Sequence, residues 1–268
     1  IYTAETLFPY TTLFRSKATM PSEATASRIR ESFKQRRGYW NDDWERLMHS
    51  NPAYVAAYLE LSAYTSERGS LSPKMRELIY VATNCSPTHF FERGVRQHAR
   101  FARQYGASLE ELIAVAMIVS TVGVQTYLLG AAALEELVPG ALTSSDHQAH
   151  VKAVHSRHLQ LLGAALPEVN AAINVDPAFY EVWLNFAEAA MGANGLLSPK
   201  DSHLIALAAY AQCTQLSGPG VRQHMRAALA NGATPNEIID VCKLITSMGV
   251  HAVVHPVPVL IDEWEQLS

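Results

Sequence analysis

The chain repeats itself. Leu71-Ser72-Pro73-Lys74 returns as Leu197-Ser198-Pro199-Lys200, and Gly94-Val95-Arg96-Gln97-His98 returns as Gly220-Val221-Arg222-Gln223-His224. Both recur at an offset of 126, and aligning 71–124 with 197–250 without a gap gives 22 identities in 54 positions. The likeness continues upstream at an offset of 125. There Gly38, Pro52-Ala53-Tyr54 and Tyr58-Leu59 correspond to Gly163, Pro177-Ala178-Phe179 and Trp183-Leu184. Self-similarity of this kind means that one supersecondary unit is used twice, so both copies must suit the same fold. The units read as 24–138 and 149–264. Between them 139–148 reads as a linker, because Pro139 to Ser145 is rich in Pro, Gly, Ser and Thr.

Within a unit the signals are helical. Ser72-Pro73 and Ser198-Pro199 put a capping hydroxyl before a proline at the first helical position. Leu78, Ile79 and Ala82, like Leu204, Ile205 and Ala208, then follow helical apolar spacing. Gly106 and Gly232 are placed as C-terminal caps. Ser108 to Glu111 and Thr234 to Glu237 are capping boxes that begin a further helix. Strand alternation is absent. The expected fold is all-α, with two tandem helical units forming an intramolecular pseudodimer.

Charge and cysteine content narrow the partners. Lys and Arg number 21 against 25 Asp and Glu, a net charge of −4, which gives no positive field for nucleic acid. Three cysteines make no disulfide framework and suit a reducing, cytoplasmic setting. Ala114 to Leu134 is 21 residues without a charge, long enough to span a bilayer. Its counterpart, Asp240 to Leu260, holds Lys243, His251, His255, Pro256 and Pro258, and homologous halves share an environment. No membrane partner is therefore expected. Residues 1–19 show neither helical periodicity nor a secretory pattern. TLFPYTTLFRS reads as translated adapter of the kind that ends assembled environmental reads, with Met20 the natural start.

The segments LSPKMRELIYVA and GVRQHARFARQYGASLEELI, with LSPKDSHLIALAA and GVRQHMRAALANGATPNEII, resemble the carboxymuconolactone decarboxylase and alkylhydroperoxidase D-like superfamily. The resemblance covers both units, and the second block is closest to the decarboxylase branch. The peroxidase branch carries a Cys-x-x-Cys pair ending four residues before a histidine. Here those positions are Phe91 and Gly94 before His98, and Ser217 and Gly220 before His224. A thiol peroxidase needs a low-pKa thiolate and a resolving thiol, so disulfide-cycling activity is disfavoured. Cys85, Cys213 and Cys242 stand alone, and Cys242 reads as a small core residue.

The decarboxylase branch implies a cofactor-free acid–base site around the retained histidine, so His98 and His224 are the candidates. A neutral imidazole moves protons both ways near pH 7, as protonating a carbanion after loss of carbon dioxide requires. The resemblance also implies a proton-relay role for Glu77, whose counterpart is His203. Arg96 and Arg222, two residues before the histidines, and Arg100 and Arg226, two after, are candidates to hold a substrate carboxylate bidentately. Glu111 and Glu237 are explained by capping. The expected partner is a small carboxylate or lactone of aromatic catabolism, handled by a homo-oligomer, a trimer of two-unit chains.

An alternative reading uses a metal. His251 and His255 are spaced i, i+4, and with His203 and His224 they form a candidate divalent-cation set. Pro256 follows at once and no carboxylate has ligand spacing, which favours partly exposed or core histidines. His147, His150, His155 and His158 read as a solvated face at a helix start. A non-catalytic assembly or ligand-binding role is the remaining alternative.

Overall fold

The structure is a computed structural model and describes residues 22–140, 142, 148–163, 165–192 and 195–267. The segment 1–19 and the linker residues 143–147, His147 among them, lie outside the described residues. The first repeat supplies α1 (Glu23–Arg37), α2 (Asp42–Ser50), α3 (Pro52–Arg68), α4 (Pro73–Asn84), α5 (Glu92–Gln104), α6 (Leu109–Ser120) and α7 (Val124–Leu137). The second supplies α8 (Gln148–Leu162), α9 (Pro167–Val175), α10 (Pro177–Gly192), α11 (Pro199–Ala211), α12 (Gly218–Ala230) and α13 (Pro235–Thr246). It ends with α14 (His251–Val254) and α15 (Pro256–Gln266), the counterpart of α7 broken before Pro256. Among the described residues the only strands are β1 (Cys85–Ser86) and β2 (His89–Phe90), a two-rung antiparallel turn between α4 and α5. The fold is all-α.

The expected start and stop signals operate. Ser72 and Ser198 hydroxyls accept from the backbone N–H of Met75 and Asp201. Both capping boxes close reciprocally, Ser108 with Glu111 and Thr234 with Glu237. Each of these glutamates also receives a lysine from the first helix of the LSPK block, Lys74 on Glu111 and Lys200 on Glu237. Gly106 and Gly232 take left-handed φ values of 85° and 89°, which a side chain would strain.

The compact bodies do not coincide with the sequence repeats. Among the described residues, one body takes in 22–63 with 249–267, and the other lies within 64–248. In the first, α1 to α3 bury Phe33, Trp44, Met48 and Tyr58 around Val250 and Val254, from the end of the second repeat. In the second, α8 to α10 bury Val154, Ile173, Tyr180 and Leu184 around Val124 and Leu128 of α7. Val124 and Leu128 are the 126-offset counterparts of Val250 and Val254. Each repeat therefore lends its last helices to the opening helices of the other. The ranges 24–138 and 149–264 mark sequence repeats, and the packing exchanges their ends.

The core of the 64–248 body is a pair of helices, α4 and α11, buried on nearly every side among α5, α6, α12 and α13. Close to this pair, residues meet their own counterparts. Gln212 donates to the Ser86 hydroxyl, and the Thr88 and Thr214 hydroxyls lie 2.9 Å apart, both pairs at the 126 offset. Self-contact of equivalent positions marks a two-fold axis, here internal to one chain. The apolar stretches 109–137 and 235–266 are long enough to cross a membrane. Each is interrupted by a 3-10 turn, at Thr121–Gly123 and Ser247–Val250, and each sends apolar side chains into the cores just described.

Candidate functional site

α5 and α12 carry the repeated histidines because each runs very close to the helix before it. A Cβ on Gly94 would lie 2.2 Å from Asn84 Oδ1, and one on Gly220 would lie 2.1 Å from the Tyr210 ring. Glycine at these two positions sets the distance between helices, and hence where His98 and His224 sit. Gly94→Ala is expected to destabilise by about 1–3 kcal/mol through overpacking. A shift of the urea midpoint with unchanged slope would show it; an unmoved midpoint would mean that α5 is free to retreat.

His98 is 8% exposed and faces back onto α4. Its Nδ1 lies 2.7 Å from Glu77 Oε2, its ring stacks on Tyr80 at 4.4 Å, and Phe101 meets it edge-on at 6.4 Å. The carboxylate accepts the Nδ1–H, which fixes the neutral tautomer and leaves the Nε2 lone pair to take a proton. Two residues 21 apart in sequence thus form one base-and-orienter pair, held between aromatic walls.

The second repeat builds a different arrangement from the same positions. His203 stands for Glu77, and its Nδ1 lies 3.2 Å from Nδ1 of His224. The Tyr210 ring lies 4.9 Å from His224, and its hydroxyl donates to the Thr121 carbonyl. Burial holds His203 down to about 4; burial, then His203 and His158, holds His224 down to about 3. Two neutral imidazoles share one hydrogen bond, and no carboxylate charge-balances either. His158 joins this region. It is fully buried, Nδ1 is 3.0 Å from the Tyr180 hydroxyl and Nε2 is 3.4 Å from Gln223 Nε2. The expected solvated face is thus split: His150 pairs with Glu181 and exposed His155 meets Asn170, while His158 points into the core.

The four arginines are not brought to the histidines. Two residues along a helix is about 200° of rotation, so positions flanking an inward histidine at ±2 turn outward. Arg96, Arg100, Arg222 and Arg226 are all exposed, and Arg96 is engaged by Glu92. The metal set is not assembled either. Among the described residues no three or more His, Cys, Asp or Glu side chains are grouped as cation ligands. His203 and His224 face one another, and the His251–His255 interval is broken because α14 ends at Val254 and Pro256 opens α15.

The thiols are equally scattered. Burial pushes Cys85 up to about 11 and raises Cys242, while Cys213 is exposed and single. A variant lacking all three cysteines is expected to reduce organic hydroperoxides no more slowly than the parent chain. Turnover that disappears with Cys85 or Cys213 would contradict this.

Three comparisons bear on this geometry. Among curated proteins there is no match. Among solved structures, the chain is similar to a crystal structure from Burkholderia xenovorans LB400 that carries a provisional name, gamma-carboxymuconolactone decarboxylase subunit. That match has 27% identity and a TM-score of 0.82, and it covers 93% of this chain and 100% of that one. The model of the carboxymuconolactone decarboxylase family matches residues 52–136 and 177–256, once in each repeat. With most of the chain and both histidine helices inside those segments, the chain belongs to the carboxymuconolactone decarboxylase family.

Proposed function

We propose that the chain is an enzyme that uses the first repeat for acid–base chemistry on a small lactone or carboxylic acid of aromatic catabolism. The observation that carries this is the buried 2.7 Å contact between Glu77 and His98. Family membership and the name of the similar solved structure support the choice of a carboxylated lactone as first substrate.

The proton bookkeeping is simple. Loss of carbon dioxide from an activated carboxylate leaves its bonding electrons as a carbanion, stabilised as an enolate by the neighbouring carbonyl. His98, having taken a proton from solvent on Nε2, delivers it to that carbon and returns to the neutral Nδ1–H tautomer that Glu77 holds, so the one proton the reaction consumes comes from water. In the second repeat the equivalent histidine lacks the carboxylate, which leaves it without an orienting charge. The proposal places the protein in the cytoplasm as a homo-oligomer, a trimer of two-unit chains, and sedimentation would read the size directly.

The test is decarboxylation of gamma-carboxymuconolactone followed by loss of its ultraviolet absorbance. Glu77→Gln keeps the shape but removes the charge, and is expected to lower kcat by about 10–100-fold with KM little changed. Full activity in Glu77→Gln would remove the pair from the reaction.

A further inference from the structure

At four positions the second repeat has a ring with a hydrogen-bonding group where the first has another side chain. Phe33 is replaced by His158 and Val55 by Tyr180 at the 125 offset; Glu77 is replaced by His203 and Asn84 by Tyr210 at the 126 offset. All four rings are buried: His203 and Tyr210 lie against His224, His158 is in hydrogen-bond contact with Gln223, and Tyr180 hydrogen-bonds His158. Tyr180, Tyr210, Gln223 and His224 line one small enclosed pocket.

Val124 and Trp183 line that pocket and also a second, open cavity of about 600 Å³. The open cavity is walled by Tyr127, Ala131, Leu134 and Phe179, and its size falls within the range of small-ligand sites. Gly123 and Gly130 lie on its floor, and a Cβ on either would meet nothing within 4 Å. Gly130 is inside α7, where glycine costs about 1 kcal/mol relative to alanine, and no contact within the chain requires it. The Trp183 indole N–H is buried and has no acceptor among the described residues.

We propose that this paired cavity is a second ligand site, in the second repeat, for an uncharged aromatic or alicyclic molecule bearing one hydroxyl or carbonyl group. The ring occupies the apolar cavity and the polar group lies at its Trp183 end, where the small pocket, with about 10 Å³ free, holds one water that links it to Tyr180 and Gln223. If the Gln223 amide donates to His158 Nε2, then His158 Nδ1–H donates to Tyr180, and the phenolic O–H remains free to donate. Among the described residues neither cavity is lined by a lysine or an arginine, so a carboxylate entering here would give up its hydration without a cation. The site therefore complements the proposed acid–base site and does not duplicate it.

The probes are 4-ethylphenol, its charged analogue 4-ethylbenzoate, and ethylbenzene, titrated into the intact protein at pH 7.5 by calorimetry and by tryptophan fluorescence. The expected order is 4-ethylphenol tightest, with 4-ethylbenzoate and ethylbenzene each at least tenfold weaker. Tyr180→Phe is expected to weaken 4-ethylphenol about tenfold and leave ethylbenzene unchanged. Gly130→Leu, whose side chain grows into open space, is expected to abolish binding of both while circular dichroism and decarboxylation are retained. Equal or tighter binding of 4-ethylbenzoate would overturn the proposal, as would absence of binding by all three. So would a Gly130→Leu variant that changes oligomeric size, since the cavity would then be covered by a second copy of the chain. Failure of the decarboxylase assay alone would leave this binding order unaffected.

Discussion

His98→Ala is expected to lose about 10²–10⁴-fold in turnover on the true substrate, the usual contribution of a positioned acid–base group. His224→Ala is expected to retain most of its turnover and to lose stability. The ranking rests on what each imidazole touches. His98 donates its Nδ1–H to a carboxylate at 2.7 Å and keeps its other nitrogen for chemistry. His224 shares a hydrogen bond with a second neutral imidazole at 3.2 Å, buried to the point that its protonated form is strongly disfavoured. A general acid that cannot hold a proton near neutral pH delivers none. His203→Glu places a carboxylate where the first repeat has Glu77, and in a His98→Ala background it is expected to restore part of the lost turnover. Steady-state kinetics of the four chains decides this. If His224→Ala were dead and His98→Ala active, the working site would belong to the second repeat.

Much of the fold was legible because its signals are local. Ser72-Pro73, the two capping boxes and Gly106 with Gly232 each act through hydrogen bonds or φ values within one helical turn, so spacing alone reveals them. Glu77 and His98 were singled out through family resemblance, and the contact between them follows from a helical hairpin closed tightly at Gly94. The exchange of end helices was not legible. Val124 and Val250 have identical counterparts, so the repeat pattern fits equally well whether each packs on its own opening helices or on those of the other repeat. The outward turn of the arginines was not legible from their nearness in sequence, because helical rotation decides it. His158 was missed because a histidine in a polar helix reads as surface, although its alignment with the buried Phe33 at the 125 offset carried the signal.

That buried Phe33-to-His158 difference leads to the second large effect, on stability against acid. His158 and His203 are held down to about 4 and His224 to about 3, in each case chiefly by burial. In the unfolded chain the same rings take protons near the ordinary value of about 6.5. The folded pKa is depressed, so the unfolded state binds more protons as pH falls, and stability declines from about pH 6.5 down to about 4. Each histidine removes up to about 1.4 kcal/mol per pH unit in that window, in sum about 6 kcal/mol by pH 5, the lower end of ordinary domain stability. Glu45, held at about 2 mainly by Arg30, loses its contribution as the pH falls from the ordinary value of 4.5 to about 2, below most of the histidine window. His158→Phe puts into the second repeat the ring that the first already buries at this position. The variant loses the hydrogen bonds to Tyr180 and Gln223 and is expected to be less stable at pH 7.5, so the level is not the readout. The readout is the slope: between pH 6.5 and 4.5 its urea midpoint should fall by about one third less per pH unit than that of the parent. A parallel fall in both chains would mean that His158 takes up its proton in place, without unfolding.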